Sequence, residues 1–341
     1  MITNPDMLHY GILPQHDRWA TFMKHLAIVA VDEMHILRGI FGSHVANVLR
    51  RLRRLAARYG ASPRFVTASA TIGNPAELAS RLTGLPFEAV AEDASPRGEK
   101  RFALWNPPLV DEASGARRSA NAEAAELLAT LVGEGVRTIA FAKSRKGAEL
   151  IASYARDRLE RERPHLAGRV AAYRAGYLPE ERRELERSLT QGDLLGVAAT
   201  TALELGIDIG GLDACILAGY PGTIASTFQQ AGRAGRARGA SLAILVAGDD
   251  PLDQYLIAHP DELFGRTHEA ALVDHANPNI LDPHLACAAY ELPIGDGDDA
   301  FFGPALPEAI ERGTAAGLLR KRGAKHYWAG RGSPAQDIDI R

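Results

Sequence analysis

Two adjacent carboxylates, Asp32 and Glu33, close a short apolar run that begins at Ile28, and these acids are well placed to do chemistry. Residues 28–31 (I-V-A-V) have the length and β-branched content of a buried parallel strand. In an open α/β sheet, the carboxyl end of such a strand faces the ligand crevice. An Asp there can hold Mg2+ while a neighbouring acid orients or deprotonates an attacking water, the pairing used in phosphoryl transfer. An α/β protein can equally end a strand in solvated acids, so the rest of the chain has to decide.

Two further stretches bear on that decision. Residues 64–71 (R-F-V-T-A-S-A-T) read as a second buried strand ending in small hydroxyl residues, with a helix opening at Asn74-Pro75. Residues 229–236 (Q-Q-A-G-R-A-G-R) place Arg233 and Arg236 three apart, a spacing that on a helical turn aims both guanidiniums one way. Paired guanidiniums suit a multiply charged target such as a γ-phosphate. An RGG-like nucleic-acid loop or a solvated turn would have the same composition.

The elements that must position these residues follow from periodicity. Ser43 is expected to cap a helix running to Gly60, with Val45, Val48, Leu49, Leu52, Leu55, Ala56 and Tyr59 on its apolar face. Arg50, Arg51, Arg53, Arg54 and Arg58 crowd the other face, which reads as solvated. Residues 1–8 read as the tail of a strand entering an Asn-Pro turn. From residue 120 helices and strands alternate, which argues a parallel sheet. Strands are expected at 137–142, 169–173, 195–200, 214–218 and 241–246, with one more at 101–105 where the domain boundary is placed. Beyond Asp249 the pattern changes to short helices, then a basic two-stranded wing at 318–328 (L-L-R-K-R-G-A-K-H-Y-W).

With 341 residues, 46% hydrophobic and 24% charged, the chain has the composition of an ordinary globular protein with two or three domains. Its two cysteines, Cys215 and Cys287, are too far apart for a metal knuckle, and a reducing compartment is the simple reading. No signal peptide and no membrane-spanning run are visible, so a cytoplasmic location is expected. A net charge of −3 gives no global nucleic-acid signature, so such binding must come from local groups.

Taken together, Asp32-Glu33-Met34-His35, Ser69-Ala70-Thr71 and residues 141–145, 200–208 and 229–236 fall in the order of motifs II to VI of superfamily 2 helicases. Residues 3–8 (T-N-P-D-M-L) resemble the motif Ib region. The pieces G-S-H-V-A-N-V-L-R-R-L-R-R, A-Y-R-A-G-Y and H-L-A-C-A-A-Y-E-L-P are similar to the bacterial YprA/MrfA-type DNA helicases, which resemble the fungal RecQ-four-like helicases. The resemblance implies an α/β fold in three parts: an incomplete first RecA-like lobe, a complete second RecA-like lobe with helices on both faces of a parallel sheet, and a helical winged-helix-like subdomain. The corresponding boundaries are 1–93, a linker at 94–118, 119–249, 250–330, and a truncated linker at 331–341.

The same resemblance implies an ATP- and Mg2+-dependent enzyme. Asp32 would hold Mg2+ through water, Glu33 would position the attacking water, and Arg233 and Arg236 would act as arginine fingers. His35 and Gln229 would link nucleotide state to domain closure. Gly206 and Asp208 would approach the nucleotide, while Ser69 and Thr71 would couple hydrolysis to movement. Thr3, Asn4, Ser144, Arg145, Thr200 and Thr201 would track the backbone of single-stranded DNA or of DNA with a 3′ tail, with no membrane partner. Movement in the 3′ to 5′ direction and a role in DNA repair are implied by family analogy.

One family feature is missing from these residues. ATP binding of this kind uses a G-x-x-x-x-G-K-[ST] loop, and residues 1–341 contain none. The family's cysteine-rich domain is missing as well. The chain therefore reads as an internal fragment of a longer helicase, and the first lobe is expected to expose unpaired sheet edges and apolar surface. A nucleic-acid-binding module without ATPase activity, or an inactive fragment, are the other readings.

Overall fold

The computed structural model describes residues 1–70, 72–92, 98–113, 115–173, 176–203, 211–235, 239–265 and 269–341. By its contacts the chain divides into two units: Met1–Ala91 with Glu269–Arg341, and Glu92–His268. No helix among the described residues is long and apolar enough to cross a membrane.

In the first unit, strand β1 (Ile28–Val31) pairs in parallel with β2 (Arg64–Thr67), with the helix Gly39–Arg58 as the crossover. Among the described residues these two strands form a sheet of their own. Ile28 is 63% and Val66 57% exposed, so the apolar surface expected of an incomplete lobe is present. The Gly39–Arg58 helix buries Val45, Val48, Leu49, Leu52, Leu55 and Ala56, as its period requires. It begins a turn before Ser43, whose hydroxyl instead donates to the Gly39 carbonyl (2.7 Å) and accepts from the Asp274 N–H (2.9 Å). From Pro5 the chain is helical rather than a strand tail, since extended Asn4 caps the short helix Pro5–Met7.

The opposite face of the long helix is not solvated. Arg50, Arg51 and Arg54 are buried, and only Arg58 among the five arginines is exposed. The reason is tertiary: the helix Pro278–Glu291 and the turn Asp299–Phe302 of the C-terminal segment pack against it.

The second unit is built on a parallel sheet. Its strands are β3 (Lys100–Trp105), β6 (Thr138–Ala142), β7 (Val170–Tyr173), β8 (Gly196–Ala199), β9 (Ala214–Ala218) and β10 (Ser241–Val246), in the order β3-β10-β9-β6-β8-β7. A small hairpin of β4 (Leu109–Asp111) and β5 (Ala116–Arg117) lies outside it. One apolar layer joins the sheet to the helices Ala120–Gly133 and Arg145–Glu162, with Leu128, Ile151 and Ala155 fully buried. The other face carries Ile139, Phe141, Leu217 and Leu245, covered by residues that include Ile224, Leu256 and Leu263. The strand expected at 101–105 is present but belongs to this sheet rather than to a linker, because β3 pairs with β10 over six residues, Ser241 opposite Lys100 through Val246 opposite Trp105. Pro251–Ala258 and Asp261–Phe264, expected in the C-terminal subdomain, group with this unit.

The remaining residues return to the first unit. Helices Pro278–Glu291 and Leu306–Ala315 pack together, and β11 (Leu319–Arg322) and β12 (Lys325–Trp328) form the antiparallel wing. Residues 331–341 do not behave as a linker. Ala335, Ile338 and Ile340 are buried with Cys287, the Tyr10 hydroxyl donates to the Ile338 carbonyl (2.7 Å), and His9 Nε2 lies 3.1 Å from the Ala335 carbonyl.

Candidate nucleotide and nucleic-acid sites

The acid pair sits where the strand reading expects it. Asp32 is exposed at the end of β1, and its Oδ1 accepts the Glu33 N–H (2.9 Å). Glu33 is the one non-glycine residue with positive φ among the described residues (φ 50°, ψ 41°). A left-handed acidic residue costs about 1–3 kcal/mol and such positions cluster at functional sites. The turn is held from β2: the Met34 N–H donates to the Ala68 carbonyl (2.9 Å). His35 Nδ1 accepts the Ala70 N–H (3.3 Å) and lies 3.5 Å from Glu33 Oε2. Asp32, Glu33, His35 and the segment bearing Ser69 therefore lie together at one strand end. Ser69 is exposed, its hydroxyl donating to the Ala70 carbonyl (2.7 Å). Thr71 lies outside the described residues.

The donor set fits a hydrated Mg2+, which takes one or two carboxylates and completes its shell with water and substrate phosphates. No cluster of three or more His, Cys, Asp or Glu that could hold a metal without such help occurs among the described residues.

In the second unit, β6 and β8 are neighbours, and their carboxyl ends bring Ser144 and Arg145 beside Thr200 and Thr201. Ser144 caps the helix Arg145–Glu162, its Oγ accepting the Gly147 N–H (3.0 Å). Ser144, Arg145 and Thr201 are exposed, and Thr200 is half-buried. Gln229 is half-buried near the end of the helix Ile224–Ala231, and Arg233 is buried in the turn after it, so the helical turn expected to carry both arginines ends before the first. Gly206, Asp208 and Arg236 lie outside the described residues. Thr3 and Asn4 are exposed in the first unit, with Asn4 Oδ1 accepting the Met7 N–H (2.8 Å).

Sequence reasoning missed two polar groups. Lys143, at the end of β6, stands 3.7 Å from Asp250 Oδ2 and from Asp253 Oδ1, and buried Asp253 accepts the N–H groups of Tyr220 and Gly248. This ties together the carboxyl ends of β6, β9 and β10. The second group lies in the first unit. Arg51 is wholly buried, its guanidinium bound to both Glu291 oxygens and to His9 Nδ1 (2.8 Å) and His284 Nδ1 (3.2 Å), and His284 Nε2 meets His44 Nδ1 (3.0 Å). Arg54 forms a second pair with Asp298 (2.6 Å). Burial opposes the Arg51 charge, but Glu291 overrides this and holds its pKa above the ordinary value. Burial and then Arg51 lower His9 to about 4 and push His284 well below the usual range; burial also lowers His44. A clue was available in the sequence: five arginines at helical spacing in a chain of net charge −3.

A parallel α/β unit, an acid pair at a strand end and a two-stranded wing together define a helicase-type protein. The helicase conserved C-terminal domain matches residues 122–238, and the winged helix domain of the ATP-dependent helicase HRQ1 matches 273–341. The whole chain is 46% identical to the uncharacterized ATP-dependent helicase YprA of Bacillus subtilis, of which it covers 45%. Over 91% of the chain it is 42% identical to the ATP-dependent helicase hrq1 of Schizosaccharomyces pombe, covering 30% of it. A crystal structure of the helicase MrfA bound to DNA superposes on all of this chain with a TM-score of 0.94 and 46% identity, the chain covering 45% of that one. The chain thus carries matches to a helicase C-terminal domain and an HRQ1-type winged helix domain, and is similar over its whole length to YprA and MrfA. It spans less than half the length of these relatives.

Proposed function

We propose that these residues serve an ATP-dependent DNA helicase or translocase. The observation that carries this reading is the cluster at the end of β1, in which His35 Nδ1 accepts the Ala70 N–H and lies 3.5 Å from Glu33 Oε2, beside an exposed Asp32. Asp32 would hold hydrated Mg2+, and Glu33 would orient the water and take up its proton. Mg2+, when bound, supplies charge neutralisation at the phosphate oxygens. Arg233 and Arg236 would stabilise the transferring phosphoryl group, a role worth about 10³–10⁵ in rate. Gln229, Gly206 and Asp208 would contact the nucleotide, and Ser69 and Thr71 would pass its state to the DNA-binding residues. The paired strand ends bearing Ser144, Arg145, Thr200 and Thr201, together with Thr3 and Asn4, would follow one DNA strand with hydroxyls, amides and few cations. Movement from 3′ to 5′, a task in DNA repair and a cytoplasmic location extend the family analogy.

A second reading has its own observation: residues 1–341 lack a G-x-x-x-x-G-K-[ST] loop, so hydrolysis needs a phosphate-binding loop from outside them. In that case the chain alone binds DNA without turning over ATP. The two are separated by measuring ATP turnover with and without single-stranded DNA, alongside binding of a 3′-tailed duplex at about 50 and 200 mM salt. DNA-stimulated turnover that Glu33→Gln abolishes supports the hydrolase. Salt-dependent binding without turnover leaves the binding module, and no binding at either salt overturns both.

A further inference from the structure

The turn that carries Arg233 is gripped from a part of the chain not yet given a role. The helix Ile224–Ala231 ends in carbonyls with no partner within the helix, and cations are favoured at such an end. Three of the last four have identified donors. The Phe228 carbonyl takes the Gly232 N–H (2.8 Å), and the Gln230 carbonyl takes the Arg233 N–H (3.0 Å) and the buried Cys215 thiol (3.1 Å). The Ala231 carbonyl takes the Lys100 ammonium (3.1 Å) and, at greater length, the Ala234 N–H (3.4 Å).

Lys100 is the first residue of β3 and stands opposite Ser241, the first residue of β10. The turn closes on the same place. Gly235 donates its N–H to the Leu212 carbonyl (3.0 Å) at φ +85°, and a Cβ there would lie 2.2 Å from Ser241 Oγ. Two residues along β3, and so on the same face of the strand, Phe102 packs on Phe228 and Phe264, with ring centroids 6.1 and 5.2 Å away. The strand by which the chain enters the second unit thus holds both the body and the end of the helix that leads to Arg233.

We propose that Lys100 is a positioning residue: its ammonium closes the carboxyl end of the Ile224–Ala231 helix and fixes the Gly232–Gly235 turn that presents Arg233. The functional weight of this rests on reading Arg233 as a γ-phosphate contact, whereas the positioning itself does not.

The test uses the full 341-residue chain and needs no nucleotide. Site-resolved amide exchange over residues 228–241 and mass-spectrometric alkylation of Cys215 report the grip, with buried Cys287 in the other unit as internal reference. Removing a charge-assisted hydrogen bond by Lys100→Met is expected to speed both about tenfold or more, with Cys287 unchanged. Lys100→Arg restores protection, and Gly235→Ala loosens the same segment with Lys100 in place. Unchanged exchange in Lys100→Met overturns the proposal. So does protection lost across the whole second unit, or failure of Lys100→Arg to restore it, since either makes Lys100 a general packing residue. If exchange behaves as expected while Arg233→Ala leaves DNA-stimulated turnover intact, the turn is positioned and it is the reading of Arg233 that fails.

Discussion

Both units have apolar cores, but only the first, among the described residues, adds a network of buried ions and imidazoles. The second is an apolar parallel sheet covered on both faces, whose core residues are drawn from strands and helices close in sequence. The first has a two-stranded sheet with exposed apolar residues, and its long helix meets the C-terminal segment both through apolar residues such as Val45, Leu49, Ala271 and Val273 and through buried ions and imidazoles: Arg51 with Glu291, His9 and His284, and Arg54 with Asp298. A parallel α/β core gains stability from area removed from water, which tolerates small changes in geometry. A buried ion pair gains little over an apolar one of the same shape, yet is severely damaged when one partner is lost. The first unit should therefore be the more fragile and the more sensitive to conditions.

The largest test of that contrast is Arg51→Met, which leaves Glu291 buried without its cation. The first unit should lose about 3–5 kcal/mol, read as faster amide exchange in residues 1–91 and 269–341 while the second unit keeps its protection. Arg51→Met combined with Glu291→Leu should recover most of the loss; if it does not, the pair has a value beyond mutual neutralisation.

Acid should separate the units next. The buried histidines among the described residues, His9, His44 and His284, all belong to the first unit. Their folded pKa values lie below the ordinary 6.5, so the folded state resists the protons that the unfolded chain accepts. Stability from this source is fully present above about pH 6.5 and falls from there toward about pH 4, where His9 titrates in the folded state. The slope is about 1.4 kcal/mol per pH unit for each histidine involved. Urea titrations at pH 7.5, 6 and 5 that shift both units equally would contradict the assignment.

The smallest expected effect is a control. Arg187 pairs with Glu184 on the exposed face of a second-unit helix, both side chains being more than half exposed. Arg187→Ala should cost about 0.3–0.5 kcal/mol or less. A larger loss there would mean that the second unit also depends on its ions.

Much of the architecture was legible in the chain. The helices 120–133 and 145–162, the strand 214–218, the wing and the acid pair at the end of β1 follow from apolar period, Gly and Pro placement and short motifs, all of which act over a few residues. Three things were not legible. Ser43 has the chemistry of a helix cap, but the helix begins a turn earlier and the hydroxyl is engaged by residue 274. Residues 101–105 read as a strand between polar flanks, but not as part of the second unit's sheet, whose edge they form beside β10. Residues 331–341 become ordered because Cys287 and its neighbours offer an apolar seat.

The sequence by itself determined the order of the motifs, the parallel α/β character of the second unit and the chemistry available at Asp32 and Glu33, because these depend on residue type and local spacing. Only the tertiary structure decided that the arginine-rich face of the first long helix is buried. Helical periodicity identifies which side chains share a face and says nothing of what will cover it. The carboxylate that makes burial of Arg51 tolerable lies 240 residues away.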